Sequence, residues 1–348
     1  MHKRTDTTIN LFIDKLDKSG VGISLIQNEN VCLVPYTLPG ERVKANIINK
    51  FKSKMYCSYL EILENSSDRS NKTCEHFTKC GGCLLQHWQY ENYKQWKFNL
   101  IRQPLLKLTP DIKTLDMISD YVVPGVSTAE LDDICHNFMI SNGSVPATLG
   151  YRGYPKSSCI SLNHVVCHGI PSNKKLRDGD ILNIDITCVL DGWFGDSSRM
   201  FIAGKANRRS QRLIQVTHDA LMLGIEQVKP GNTFGDIGAA IQRYVEAQRM
   251  TVVRDFCGHG IGRVFHAQPN VLHYGNWGEG SYLEEGMFFT IEPMVNLGRA
   301  ETKILSDNWT AVTRDKSLSA QFEHSIAVTK DGYEIFTLSP KGKFFPKF

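Results

Sequence analysis

The chain has 348 residues, 41% hydrophobic and 22% charged, which is ordinary for a soluble globular protein with room for two domains. No apolar run reaches the roughly 18 residues of a membrane span. Charged residues interrupt the start, so no signal peptide is predicted and a cytoplasmic location is expected. Residues 1–100 hold 14 Lys and Arg against 10 Asp and Glu, which accounts for the whole net charge of +4. This surplus is consistent with an RNA partner and equally with an ordinary solvated surface.

Five short β-like runs between Ile9 and Leu63, separated by turn residues, predict a small all-β barrel over residues 5–68. A polar linker at 64–73 leads into a cysteine motif and helical linker over residues 69–105. A repeated helix-plus-strand pattern then predicts an α/β domain over residues 106–348. Four scattered cysteines are predicted to be buried small apolar residues: Cys32, Cys57, Cys135 and Cys188.

The second part of the chain contains an internal repeat. LRDGDILNID from Leu176 returns as LEEGMFFTIE from Leu283, and VVPGVSTAEL at 122–131 returns as VKPGNTFGDI at 228–237. Each copy of the second motif carries a capping-box signature, Ser127 with Glu130 and Thr233 with Asp236, which predicts the start of a helix. The repeat therefore predicts two related halves, with Asp185 and Glu292 at equivalent positions.

Two acids lie close together on a predicted hairpin. Asp185 is embedded in the apolar strand DILNIDITCVL, and the Asp-Gly pair at 191 and 192 predicts a tight turn that places residue 185 opposite residue 198. Asp196 then becomes a diagonal neighbour of Asp185 on the same face. The alternative interpretation, solvent-facing acids on a hairpin, suits Asp196 better than Asp185, because a buried acid needs a cation or a hydrogen-bonding partner.

His259 lies in the glycine-rich run CGHGIGRVFH. A nucleotide-binding loop is excluded there, because the glycine spacing is wrong and no helical pattern follows. A metal ligand and an ordinary core histidine remain as interpretations. His168 and His266 add neutral imidazoles that can donate hydrogen bonds or carry protons near pH 7.

Four carboxylates and one imidazole form the candidate ligand set: Asp185, Asp196, His259, Glu292 and Glu323. Oxygen-rich ligation with a single nitrogen suits two hard or borderline divalent cations. Such a pair generates hydroxide at neutral pH and stabilises the oxyanion on an attacked carbonyl, so the site is predicted to perform hydrolysis.

The run from Met117 to Leu338 resembles a type I methionine aminopeptidase, through YRGYPKSSCISLN, VCHGIP, NIDIT, DGWFGDSSRMF, CGHGIGRVFH, TIEPM and LSAQFEH in the family's order. The resemblance implies the pita-bread fold with pseudo-twofold halves, and removal of initiator methionine from nascent proteins by a dinuclear metal-activated hydroxide. It implies that Asp185 chelates one metal, that Asp196 and Glu323 bridge, and that His259 and Glu292 hold the second. The implied cations are Mn, Fe(II), Co or Zn.

By the same resemblance, His168 binds and protonates the departing amine, His266 hydrogen-bonds the substrate carbonyl, and Glu292 joins them as a catalytic residue. The methionine pocket is implied at Tyr151, Tyr154, Cys159, Phe265 and Trp309, for which core packing is the alternative. The sequence departs from the family in two places. The stretch FNLIRQPLLKLTPDIKTLD replaces the usual first helix, and Thr148 stands where Cys is common.

Residues 5–68 resemble a TRAM domain, and CEHFTKCGGCLLQHWQYENYKQWK is similar to the cysteine motif of bacterial 23S rRNA uracil-5 methyltransferases. That family binds a 4Fe-4S cluster, which implies ligands at Cys74, Cys80 and Cys83. The fourth ligand is in doubt, since Cys159 belongs to the peptidase-like pocket. The motif therefore lacks a ligand, binds zinc with His76 or His87, or holds no metal.

Three functions remain open at this point: a metallopeptidase, an inactive pita-bread binding protein, and an adaptor that docks on ribosomal RNA. Methyltransferase activity is excluded, because DFCGHG at 255–260 is better explained by the peptidase motif. The complete ligand set favours the metallopeptidase. Its expected partner is the N-terminal methionine of nascent peptides, with a ribosome contact through the first segment, no membrane partner and a monomeric state.

Overall fold

The computed structural model describes residues 7–26, 30–71, 74–107 and 110–346. Residues 5 and 6 of the predicted barrel and residues 72 and 73 of the predicted linker lie outside these ranges. The chain forms two compact units, Met1–Leu100 and Ile101–Phe348, and the division falls within helix α1 (Tyr90–Lys107). None of the helices in the described ranges combines the length and apolarity needed to cross a membrane.

The first unit contains one six-stranded sheet, whereas the sequence predicted five strands. The first predicted run divides into β1 (Thr8–Phe12) and β2 (Lys15–Leu16), because the chain leaves β5 after Ile13, whose amide donates to the Glu41 carbonyl, and then pairs with β3. The other strands are β3 (Gly22–Leu25), β4 (Val31–Val34), β5 (Arg42–Phe51) and β6 (Lys54–Glu64). The order is β1-β5-β6-β4-β3-β2, with β4 and β6 parallel and the other neighbours antiparallel.

A small core lies in this sheet. Cys32 and Cys57 are buried in it, as predicted, beside Val34, Val43 and Ala45. The alternation of buried and exposed residues along these strands follows from the two-residue repeat of side chains in a strand. The described residues of this segment form β-strands, while the barrel and its TRAM identity stay predictions.

Over residues 110–346 the second unit contains four further α-helices, α2 (Pro110–Ile118), α3 (Thr128–Ser141), α4 (Arg208–Ile225) and α5 (Phe234–Ala247). Both predicted capping boxes are confirmed, since α3 begins after Ser127 and α5 begins after Thr233. In each case the acid three residues on, Glu130 or Asp236, accepts the cap residue's amide at 2.7 Å. The two helices therefore begin where the repeat placed them.

In the part of this unit that the structure describes, fifteen strands form four sheets. They are β7 (Val145–Pro146), β8 (Cys159–Leu162), β9 (Val165–Cys167), β10 (Ile181–Leu190), β11 (Trp193–Ile202), β12 (Thr251–Val252), β13 (Gly258–Gly260), β14 (Ala267–Val271), β15 (Phe288–Ile291), β16 (Met294–Asn296), β17 (Thr302–Ile304), β18 (Ala311–Thr313), β19 (Ser319–Gln321), β20 (His324–Val328) and β21 (Tyr333–Ile335).

The longest hairpin confirms the predicted register. Strands β10 and β11 are antiparallel, with Asp185 opposite Ser198 and Thr187 opposite Asp196. Both turn residues have positive φ, 52° at Asp191 and 76° at Gly192, as a type I′ turn requires. Because residues two apart share a face, the two carboxylates lie on the same side of the hairpin.

Strand β10, which carries Asp185, and strand β15, which Glu292 follows, belong to different sheets. Strand β10 pairs with β7, β8 and β11, while β15 lies between β13 and β20 in the order β14-β13-β15-β20-β21. The remaining strands pair as β12-β16-β19 and β17-β18-β9. Asp185 therefore lies within the long strand of one half, and Glu292 directly follows β15 of the other.

Candidate functional site

One cavity of about 240 Å³ collects every residue predicted for the active site. Its walls include the five candidate ligands, both catalytic histidines and all five predicted methionine-pocket residues. They are Asp185, Asp196, His259, Glu292, Glu323, His168, His266, Tyr151, Tyr154, Cys159, Phe265 and Trp309. Side chains from residues 151 to 323 of both halves thus converge on one point.

The floor of the cavity is a compact group of potential metal ligands. Asp196, His259 and Glu323 each offer one ligand atom, and these atoms lie within 4.8 Å of one another. The imidazole Nε2 of His259 lies 3.6 Å from Asp196 Oδ2 and 3.7 Å from Glu292 Oε1. Asp185 faces the same cavity from β10. The acids and the imidazole are therefore close enough to share cations.

The ring of His259 is oriented by its backbone. Its Nδ1 lies 3.1 Å from the carbonyl oxygen of Gly260, which can only accept, so Nδ1 carries a proton. In the neutral ring the lone pair is then on Nε2, the nitrogen that faces the carboxylates. A carbonyl that fixes the tautomer in this way is typical of metal-ligating histidines.

The buried acids fit a cation-binding role. Burial, followed by the nearby carboxylates of Asp196 and Glu292, raises the pKa of Asp185 well above its usual range. Burial and Asp196 raise the pKa of Glu323 in the same way, and burial raises the pKa of Glu292 to about 7. In addition, Oδ1 of Asp185 is buried with no hydrogen-bond partner. Divalent cations are the groups that would satisfy such a cluster.

The same carboxylates stabilise the protonated form of His259. Burial lowers its pKa, but the hydrogen bond to Asp196 and the charge of Glu292 outweigh burial and raise the pKa to about 9. Without a cation the imidazole would therefore be a cation itself near neutral pH. Either a bound cation or the protonated imidazole therefore supplies positive charge among these carboxylates.

Glu292 is held by three neighbours. The hydroxyl of Thr290 donates to its Oε1 at 2.8 Å, and the Gln321 amide donates to its Oε2 at 3.3 Å. Its backbone amide donates to Nε2 of His273 at 3.1 Å. Burial lowers the pKa of His273 to about 3, so this ring stays neutral and its Nε2 remains an acceptor.

Two further imidazoles border the cavity. Burial, followed by the charge of His259, lowers the pKa of His266 to about 4, and burial lowers the pKa of His168. His266 Nδ1 lies 2.9 Å from the hydroxyl of Tyr151, and the ring centroids of His259 and His266 lie 4.3 Å apart. Both rings are therefore neutral near pH 7 and able to exchange hydrogen bonds with a ligand.

The opposite wall is aromatic. The rings of Tyr154 and Trp309 meet edge to face with centroids 5.1 Å apart, and His168 lies 6.0 Å from Trp309. The Tyr154 hydroxyl donates to the carbonyls of Ser158 and Gly169 at 3.1 and 2.9 Å, which turns its polar end away from the cavity. The wall thus offers an apolar surface to an unbranched apolar side chain.

The sequence model of metallopeptidase family M24 matches residues 111–330. The chain belongs to this metallopeptidase family. A methionine aminopeptidase of Rickettsia prowazekii (strain Madrid E) is 60% identical over 238 residues, 68% of this chain and 92% of that protein. A methionine aminopeptidase of Escherichia coli (strain K12) is 54% identical over 228 residues, 65% of this chain and 86% of that protein.

Solved structures of M24 proteins share the fold. The crystal structure of methionine aminopeptidase from Rickettsia prowazekii aligns with a TM-score of 0.67 at 55% identity, covering 71% of this chain and 98% of that one. The prolidase from Pyrococcus horikoshii OT3 aligns with a TM-score of 0.52 at 21% identity over 66% of this chain and 58% of that one, and shows the fold alone. The predicted pita-bread fold is thereby confirmed, and membership of a metallopeptidase family makes divalent cations its cofactors.

The cysteine motif of the first unit does not form a comparable site. Cys74, Cys80 and Cys83 are exposed, and no metal-ligand group among the described residues includes them. His87, one candidate nitrogen ligand, is fully buried, and burial lowers its pKa to about 4. A cluster or zinc ion at this motif therefore stays a prediction.

Sequence reasoning missed several residues at the M24 site. Arg152 and Thr187 line the cavity, and the Thr187 hydroxyl donates to Asp196 Oδ1 at 2.8 Å. Thr148, noted only as a departure from the family pattern, lines it as well. The DILNIDIT strand pattern was a usable signal for Thr187, since it lies two residues beyond Asp185 on the same face.

The sequence also gave no indication of Asp111, a buried acid that does not line the cavity. It is fully buried at the start of α2, and among the described residues neither of its carboxylate oxygens makes a hydrogen bond of good geometry, although the Ile112 amide and the Ser197 hydroxyl lie near it. Burial raises its pKa to about 7, and the charge of Asp196 adds to the effect. Its helix is fixed to β11 by Asp116, whose Oδ1 accepts from Arg199 at 2.9 Å. No local sequence signal marks Asp111, because an acid in the first turn of a helix is usually exposed.

Proposed function

We propose that this chain removes the N-terminal methionine from nascent proteins by metal-dependent hydrolysis. The observation that carries the proposal is one cavity with four carboxylates and an imidazole on its floor and an aromatic wall beside them. The 60% identity to a methionine aminopeptidase across 92% of that protein supports the same substrate. The complete ligand set disfavours an inactive pita-bread binding protein.

The proposed ligands divide between two cations. Asp185 would hold the first, His259 and Glu292 would hold the second, and Asp196 and Glu323 would be shared by both. The chemistry that divalent cations supply when bound is Lewis acidity, which makes water more acidic and neutralises charge that develops on an attacked carbonyl oxygen. Carboxylates with one imidazole suit Mn, Fe(II), Co or Zn.

Glu292 is the proposed proton acceptor. Its carboxylate lies at the cavity and can accept a proton, and Thr290 and Gln321 hold its two oxygens in place. Attack of water on the peptide carbonyl releases one proton, which Glu292 takes. The carbon–nitrogen bond then breaks, and the departing amine receives a proton.

The two neutral histidines have different proposed partners. If the Tyr151 hydroxyl donates to Nδ1 of His266, the ring proton is on Nε2, which then donates to the substrate carbonyl. His168 contacts the departing nitrogen from the aromatic side of the cavity and carries its proton. Tyr151, Tyr154, Cys159, Phe265 and Trp309 surround the methionine side chain.

The direct test uses the purified full chain with Mn, Co or Fe(II) and peptides that begin Met-Ala or Leu-Ala. We expect methionine release from the first peptide and little release from the second, because the apolar pocket accepts an unbranched side chain. Asp196→Ala should abolish turnover, while Asp133→Ala on the exposed face of α3 should leave it unchanged. Absence of turnover with every cation would contradict the proposal. The cavity is built from one chain, so activity is expected of a monomer.

A second function is proposed for the first unit. We place a TRAM-like RNA-binding domain at residues 5–68, a linker at 69–105 and the catalytic domain at 106–348. Cations over aromatic rings favour nucleic-acid contact: Lys52 over Phe51 at 5.6 Å and Lys97 over Tyr93 at 5.3 Å. Ribosome co-sedimentation should be salt-sensitive and weaken on Lys52→Glu with Lys97→Glu. Unaltered sedimentation of this double variant would count against it.

Metal at Cys74, Cys80 and Cys83 is a separate proposal that rests on the motif alone. Elemental analysis and visible absorption of anaerobically purified protein distinguish a 4Fe-4S cluster from zinc and from no metal. Cys80→Ser should remove any iron or zinc beyond that of the M24 site.

A further inference from the structure

The mouth and the floor of the M24 cavity carry opposite charge. The floor is formed by buried carboxyl groups, whereas Arg152 is exposed and still lines the cavity. It is the only lysine or arginine among the lining residues. A peptide whose methionine occupies the closed, aromatic end must leave through this mouth, so its following residues pass the guanidinium group.

A tight turn fixes the position of Arg152. The turn spans Gly150 to Tyr154, and Arg152 adopts the left-handed conformation with φ 46° and ψ 30°. The amide of Gly150 donates to the Tyr154 carbonyl at 2.8 Å, and the amide of Tyr154 donates to the Tyr151 carbonyl at 2.9 Å. The left-handed region is unfavourable for a residue with a Cβ atom, so the closed turn holds Arg152 there.

The guanidinium group is oriented by an aromatic ring. Its central carbon lies 5.3 Å from the centroid of Tyr151, whose hydroxyl reaches His266 inside the cavity. Within the described ranges Arg152 makes no ion pair with any carboxylate, and its neighbours are the Tyr151 ring and the His266 imidazole. Its planar donor array therefore stays free to bind a carboxylate from outside the chain.

We propose that Arg152 determines specificity on the leaving side of the scissile bond by pairing with an acidic side chain shortly after the methionine. This inference rests on the proposed aminopeptidase function and names a substrate class within it. Guanidinium and carboxylate groups match through paired N–H donors. Because the pair would be partly exposed, its expected contribution is a factor of about three in kcat/KM, and salt should screen it.

The test compares two peptides that differ only in charge, Met-Ala-Asp-Ser and Met-Ala-Asn-Ser. The ratio of their kcat/KM values is measured for the unaltered full chain and for Arg152→Gln, in low and high salt. We expect the Asp:Asn ratio to fall about threefold in Arg152→Gln, mainly through KM, and to fall in the unaltered chain as salt rises. Arg254→Gln is the matched control, because Arg254 lies over Tyr274 at 5.0 Å and does not line the cavity.

The outcomes separate the two proposals. If Met-Ala-Asn-Ser is turned over but Arg152→Gln leaves the Asp:Asn ratio unchanged, the specificity proposal is wrong and the aminopeptidase function stands. If neither peptide is cleaved with Mn, Co or Fe(II), the aminopeptidase function fails. The dissociation constants of the two peptides, measured by tryptophan fluorescence, then test the role of Arg152. Equal affinities of the unaltered chain for both peptides would overturn the specificity proposal. A preference for the Asp peptide that is lost in Arg152→Gln would support it.

Discussion

The imidazole Nε2 of His259 lies 3.6 Å from Asp196 Oδ2, and the Gly260 carbonyl on the other side of the ring holds it in that direction. His259 offers an imidazole nitrogen from β13, and Asp196 offers a carboxylate oxygen from β11. Neither strand pairs with the other, so the approach depends on how the two halves of the repeat pack together.

We expect His259→Ala to lose one of two cations and most turnover. Removing groups that only orient a metal ligand costs about 10- to 100-fold in affinity or activity, so losing the ligand itself should cost at least that much. Calorimetric titration with Co or Mn measures the stoichiometry and affinity of each cation. His164→Ala removes an imidazole that does not line the cavity. A His259→Ala protein that still binds two cations with unaltered affinity would exclude His259 as a ligand.

The sequence predicted the site well where local chemistry determines geometry. The Asp191-Gly192 turn fixes the register of β10 and β11, and that register alone places Asp185 and Asp196 on one face. The capping residues Ser127 and Thr233 likewise mark the starts of α3 and α5. These features depend on a few adjacent residues, so they can be derived without knowing the rest of the fold.

Features that depend on distant packing were not predictable in the same way. The first β run of the chain divides at Ile13 because its amide meets the Glu41 carbonyl, 28 residues further on. Asp111 is buried only because α2 packs against β10 and β11. His273 stands in an ordinary apolar stretch, and only the packing of its ring beneath Glu292 gives it a role.

His273→Ala should lower turnover by about tenfold while leaving two cations bound, because the Glu292 amide loses its acceptor and the carboxylate loses its orientation. Leaving a buried amide unpaired also costs about 1 to 3 kcal/mol of the free energy of unfolding. His273→Gln, whose carbonyl oxygen can still accept, should recover part of both. Equal turnover in His273→Ala and the unaltered chain would show that Glu292 is positioned without this ring.

Asp111 should make the protein less stable as pH rises. Its folded pKa of about 7 exceeds the value of 3.8 for a solvated aspartate, so between these values the folded chain binds a proton that the unfolded chain has released. The free energy of unfolding therefore falls through this window, by roughly 4 kcal/mol in total at about 1.36 kcal/mol per pKa unit.

Asp111→Asn removes this titration. The stability of the variant relative to the unaltered chain should therefore increase from pH 4 to pH 8, measured by urea unfolding in the presence of a chelator. Asp133→Asn, an exposed acid on α3, provides the control and should show no such trend. A flat difference between Asp111→Asn and the unaltered chain across this range would mean that Asp111 is solvated or already paired.

Tyr154→Phe should weaken the methionine pocket without removing its apolar surface. The hydroxyl proton is shared between the carbonyls of Ser158 and Gly169, and the Gly169 carbonyl also accepts from the Ile160 amide. Loss of the hydroxyl therefore removes the donor to the buried Ser158 carbonyl, at a cost of about 1 to 3 kcal/mol. The Gly169 carbonyl directly follows His168, so a shift there moves the proposed proton donor, and we expect kcat to fall together with the free energy of unfolding.

Tyr244→Phe is the matched control, because its hydroxyl donates to Asp219 between α4 and α5, outside the cavity. Urea unfolding and steady-state kinetics on both variants check this, and a Tyr154→Phe protein with unaltered kcat would show that the hydroxyl stabilises the wall without positioning His168.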